Sequence, residues 1–98
     1  MIEWTEPAIQ QLNQSYEYIA LTNSETVAAR IIEHIVTSIQ RLAAFPQSGR
    51  RGRVPETREL VITDAPFIVA YTIEEDRILI LALYHSARQW PETFWHPM

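Results

Sequence analysis

The chain contains no cysteine, and its eight basic residues are all arginine, so lysine is missing as well. The first absence excludes a disulfide scaffold and any thiolate metal site. The three histidines, His34, His85 and His96, have no carboxylate or second imidazole at a spacing that suggests metal ligation. Neither a metal nor a cofactor is therefore expected. Long apolar runs are also missing: the longest, residues 78–84, falls far short of the roughly 20 residues that cross a bilayer as a helix. The N-terminus lacks the basic start and apolar stretch of a signal peptide. The expectation is a cytoplasmic protein with no membrane partner. What is present, 98 residues of which 47% are hydrophobic, suffices for one domain, 1–98, with one core.

The formal charge of −4 argues against nucleic acid as a bulk partner, because phosphate binding needs a locally positive surface. The distribution qualifies that argument. Arg50, Arg51, Arg53 and Arg58 fall within nine positions, with Glu56 the one acid among them. Two readings of this patch stand side by side: a solvated loop kept in water by its charges, or a surface that grips carboxylate or phosphate through paired guanidinium hydrogen bonds.

Along the chain, residues 1–4 form a short strand, and Thr5, Glu6 and Pro7 supply the capping hydroxyl, acid and early proline of a helix start. Ile9, Leu12, Tyr16 and Ile19 then recur at helical spacing and predict an amphipathic helix over 7–21. After Thr22, Asn23 and Ser24, which offer capping oxygens, Val27, Ala28, Ile31, Ile32, Ile35, Ile39 and Leu42 predict a second helix ending near Ala44. So short a link folds the two into an antiparallel hairpin. Residues 46–55 hold both glycines, two of the six prolines and most of the arginine cluster, and are predicted to be loop. Three runs rich in β-branched and aromatic residues follow, 58–62, 66–73 and 77–85. Their tight separators predict an antiparallel meander. Residues 78–83 are apolar almost throughout, as in an interior strand covered by the helices on one face and partly protected on the other. The sum is an α+β fold, β-α-α-β-β-β, with a helix hairpin packed on one face of a small, mainly antiparallel sheet.

Several stretches carry a family resemblance in the same order. They are Phe45-Pro46, Gly49-Arg50 and Arg58-Glu59-Leu60, then residues 67–71 and 78–81, and finally the ending Tyr84-His85-Ser86-Ala87-Arg88-Gln89-Trp90-Pro91. Over nearly the whole chain this resembles the RelE/ParE superfamily of type II toxin-antitoxin toxins, whose members serve in plasmid stabilisation and growth inhibition. The resemblance implies two different activities. One branch comprises ribosome-dependent endoribonucleases that cut messenger RNA; the other inhibits DNA gyrase and has no hydrolytic chemistry of its own.

RNA cleavage by the 2′-hydroxyl needs a base, cations for the transition state and an acid for the leaving oxygen. In RelE-like nucleases the resemblance assigns these to strand lysines, to arginines on the third strand and after the fourth, and to a C-terminal tyrosine. Here there is no lysine, Ile68 and Val69 stand where the third-strand arginine is expected, and no tyrosine lies beyond Tyr84. A second nuclease pattern in the superfamily, built on a glutamate, an arginine and a histidine, is partly matched. Glu59 would be the base, His85 the acid, and Arg58 or Arg88 the phosphate partner. Against these roles, Glu59 reads more readily as a strand carboxylate paired with a neighbouring arginine, and His85 equally as a strand-end histidine satisfied by backbone. His34 reads as a boundary residue beside the apolar stripe. Trp4, Trp90 and Trp95 read as core caps or interface residues rather than stacking platforms. Arg88 and Trp90 serve either target contact or fold closure.

The incomplete nuclease set favours the ParE-like branch, a gyrase inhibitor silenced by a cognate antitoxin in a toxin-antitoxin hetero-oligomer. The alternatives are a RelE-like nuclease acting on ribosome and messenger RNA, and an inactive relic that retains only antitoxin binding. In every case a disordered, acidic antitoxin segment would fold across the hairpin and the arginine-rich loop, its carboxylates meeting Arg50, Arg53 and Arg58.

Overall fold

The computed structural model describes residues 1–85. Its elements run β1 (Ile2–Trp4), α1 (Glu6–Thr22), α2 (Glu25–Gln40), a 3-10 turn (Arg41–Ala43), β2 (Arg50–Arg51), β3 (Arg58–Val61), β4 (Phe67–Ile73) and β5 (Ile78–His85). They build one five-stranded sheet in the order β1-β5-β4-β3-β2. β1 lies parallel to β5 and every other pairing is antiparallel. The layout is the expected one with one addition: the 46–55 segment is not wholly loop, because Arg50 and Arg51 pair with Glu59 and Arg58 as a two-residue edge strand.

Both helices begin where the sequence placed their caps. The Thr5 hydroxyl accepts from Ala8 N at 3.3 Å, and the Ser24 hydroxyl accepts from Val27 N at 3.1 Å. Each satisfies one of the amide groups that a helix start leaves without an internal partner. α2 stops at Gln40, earlier than the apolar spacing implies, because the chain tightens into the 3-10 turn that still delivers Leu42 to the core.

The core lies between the hairpin and one sheet face. Ala8, Ile19, Ala28, Ile35, Ile39 and Leu42 pack against Ile62, Phe67, Val69, Tyr71, Ile78, Ile80 and Leu83. Ile9, assigned to the buried stripe from its spacing, is 44% exposed; its neighbour Ala8 is the fully buried residue. With Ala8 facing the sheet, Ile9 lies about 100° further around the helix and turns toward solvent. On the far face a second cluster gathers Ala70, Ala82 and Tyr84, with Val54 and Leu81 packed against it.

The uninterrupted apolar character of 78–83 has a specific cause. The β4–β5 register steps from Ala70↔Ala82 to Tyr71↔Ile80, leaving Leu81 as an extra residue. Such a bulge reverses the alternation of faces, so Ile78 and Ile80 face the helices before it and Leu83 after it. Two polar side chains satisfy the local backbone. Thr5 Oγ1 lies 2.9 Å from Ile80 O and 3.2 Å from Leu81 O, and Leu83 N donates to Gln11 Oε1 at 2.8 Å.

Candidate functional site

The arginine-rich segment between the 3-10 turn and β3 is anchored by a residue that belongs to the core. Tyr71, fully buried on β4, extends its phenol beneath this loop. Gly49 N donates to the phenol oxygen at 2.9 Å, and the phenol donates to Pro46 O at 2.7 Å. Arg58 Nη1 adds a bond to Gly49 O at 2.8 Å. A Cβ on Gly49 would lie 2.6 Å from the Tyr71 oxygen and 2.9 Å from Glu59 O, so only glycine allows this approach. Further on, Thr57 N donates to Val54 O across Pro55 and Glu56, and Glu56 has a φ of 66°. Proline at the second position and a positive φ at the third are the marks of a type II turn. Gly52 N closes the loop on Thr57 O at 2.8 Å.

Glu59 is the one buried charged side chain among the described residues, with 3% exposure. Its Oε1 accepts from Arg50 Nε at 3.1 Å and Nη2 at 3.0 Å, and its Oε2 accepts from Arg53 N at 3.3 Å. Arg50 reaches it because the two are direct partners in the β2–β3 register. Beyond Glu59 on the same sheet face lies Tyr84, whose hydroxyl is pushed up from 10.0 to about 12, first by burial and then by the negative charge of Glu59.

The residues considered for acid-base chemistry are not brought together. Register partners share a face, so Glu59 points with Ala70 and Ala82 away from the helices. His85 pairs with Phe67 on the helix side, where the two rings meet edge-on at 5.1 Å. Arg58 pairs with Tyr71 and also lies on the helix side. It sits four β4 residues from the level of His85, or about 13 Å at ~3.3 Å per residue. Arg88 and Trp90 lie outside the described residues. His34 is a boundary residue, as its place beside the stripe suggested, and its Nε2 contacts Thr63 O. Among the described residues no three histidine or carboxylate side chains converge as a metal ion requires.

The structure does assemble an arginine cleft. Arg51 and Arg58 face each other across β2 and β3, and with Arg53, Pro55, Glu56 and Ile73 they line a groove of about 620 Å³. Arg51 was not among the candidate binding residues. Its place depends on the two-residue strand, which is too short to leave a periodic signal in the sequence; its membership of the arginine cluster was the available hint. Tyr71 was missed as well, because a tyrosine inside an apolar strand reads as core, which it also is.

Comparison with known proteins bears on this arrangement. A family model described as the ParE toxin of the type II toxin-antitoxin system parDE matches residues 2–90. A curated protein of Sinorhizobium fredii (strain NBRC 101917 / NGR234), named "Putative toxin Y4kP", is 41% identical over 91 residues, covering 93% of each chain. A solved structure described as a chromosomal ParDE TA system from P. aeruginosa superposes with a TM-score of 0.80. It covers 86% of this chain and 92% of that one at 24% identity, which speaks to the fold. The extent of the family match and of the 41% relative identify this chain as a member of the ParE toxin family of type II toxin-antitoxin systems.

Proposed function

We propose that this chain inhibits DNA gyrase without hydrolytic chemistry of its own and is held inactive by a cognate antitoxin of ParD type. The observation that carries the non-hydrolytic part is the fate of Glu59. A general base must be accessible and within reach of the proton it takes. This carboxylate is buried under three hydrogen bonds, and the histidine that would act as acid points from the opposite face of the sheet. Membership of the parDE toxin family supports a ParD-type antitoxin as partner; gyrase as target rests on the ParE-like branch that the incomplete nuclease set favours.

The test is pulse labelling of DNA and protein synthesis in the minutes after induction in a bacterium without the antitoxin. DNA synthesis failing first, together with loss of supercoiling by purified gyrase, is the expected result. Earlier collapse of translation would establish the nuclease instead, and unimpeded growth with folded protein would identify an inactive relic. Glu59→Gln and His85→Ala are expected to stay toxic at equal protein level, whereas the nuclease reading requires both to be inert.

A further inference from the structure

We infer that the cleft beside β2 receives an acidic segment of the antitoxin, one of whose carboxylates is gripped between Arg51 and Arg58. This deepens the toxin-antitoxin reading above and rests on it.

The starting observation is a cross-strand pair of like charges. Arg51 and Arg58 are direct register partners, and like charges held opposite one another on neighbouring strands destabilise the pairing. Two other arginines are matched with acid, Arg50 with Glu59 and Arg77 with both Glu3 and Glu74. Neither Arg51 nor Arg58 forms an ion pair with a described residue. Arg58 instead donates to the carbonyl oxygens of Gln47 and Gly49, which fixes its guanidinium in place. An anion seated between the two would turn the repulsion into two attractions, and a carboxylate suits guanidinium donors in geometry as well as charge.

The surroundings select a peptide over a phosphate chain. Ile73, 41% exposed, and Pro55 give the cleft an apolar wall, suited to an apolar side chain next to the acid. A nucleic acid would have to continue past the cleft, but Ile73 is followed directly by exposed Glu74, Glu75 and Asp76. These repel a polyanion far more strongly than a short segment with one or two acids.

Calorimetric titration of the full-length toxin with the purified antitoxin encoded beside it, at low and high salt, tests the assignment. Arg51 is the residue to change, since its side chain is exposed and forms no ion pair among the described residues, and thermal melts check that the variants remain folded. Arg51→Ala is expected to weaken binding about tenfold and Arg51→Glu roughly 100-fold at low salt. Both deficits should shrink at high salt, where the charge contribution is screened. Arg51→Glu binding like the wild type, with the same salt dependence, overturns the inference while leaving the toxin-antitoxin reading intact. If the wild-type toxin does not bind the antitoxin, both fall. A DNA duplex that binds the wild type but not Arg51→Glu, while antitoxin binding is unchanged, assigns the cleft to phosphate and also overturns the inference.

Discussion

Glu59 and Tyr84 share the sheet face away from the helices, and their coupling has a consequence for stability. The Tyr84 hydroxyl ordinarily titrates at 10.0 and in the folded protein is raised to about 12 by burial and by the Glu59 charge. A group whose folded value is raised favours the native state fully below its unfolded value, and that contribution is lost as pH rises through the folded value. Thermal stability should therefore fall between pH 10 and about 12. Tyr84→Phe should flatten that part of the profile, measured by melting temperature against pH. Glu59→Gln should narrow the window without abolishing it, because burial is the larger cause. A Tyr84→Phe profile identical to the wild type would show that alkaline loss arises elsewhere. The same carboxylate illustrates what the sequence could and could not convey. Its type and strand position favoured an ion-paired strut over a base, but which arginine would stand opposite was not legible. That depended on β2, whose two residues carry no periodicity.

At the scale of elements, the loop and the bulge are each tied down by side chains from outside them, Tyr71 and Arg58 for the loop, Thr5 and Gln11 for the bulge. Tyr71→Phe removes the hydroxyl from between Gly49 N and Pro46 O. It should cost about 1–3 kcal/mol, the usual effect of leaving buried polar groups unpaired. Gly49→Ala should cost a similar amount, about 1–3 kcal/mol, by crowding the same phenol. Urea denaturation of the two single variants and the double would show less than additive losses, since both open the same contact; strict additivity would argue against a shared clamp. Thr5 both caps α1 and bonds carbonyl oxygens at the β5 bulge. Thr5→Val, similar in shape but without the hydroxyl, should destabilise by roughly 1–2 kcal/mol, while a loss no larger than a surface change would mean the bulge stands without it. The helices were legible because their apolar stripes and caps are local signals. The bulge was not: seven successive apolar residues from Ile78 to Tyr84 suit a strand buried on both faces as well as one whose facing reverses midway. Only the Ala70↔Ala82 and Tyr71↔Ile80 pairings distinguish the two.

For the molecule as a whole, an acidic protein carries its positive charge where the sheet edge meets the longest connection between its strands. Net charge alone pointed away from anionic partners, but the cluster of four arginines was visible in the sequence, and the fold divides it. Arg50 is turned inward to Glu59, while Arg51 and Arg58 line the cleft. That division could not be read from spacing, because it follows from strand register. The Tyr71 phenol gives this arrangement a kinetic meaning. A loop tied to a fully buried core residue at Gly49 and Pro46 has less freedom to lose when a partner arrives. Encounter then waits less on the loop to order itself. Capture of a freshly made toxin by its antitoxin would be limited by diffusion and orientation, at about 10⁵–10⁷ M⁻¹s⁻¹ or faster with charge steering. The toxin would thus have little time to reach its target first.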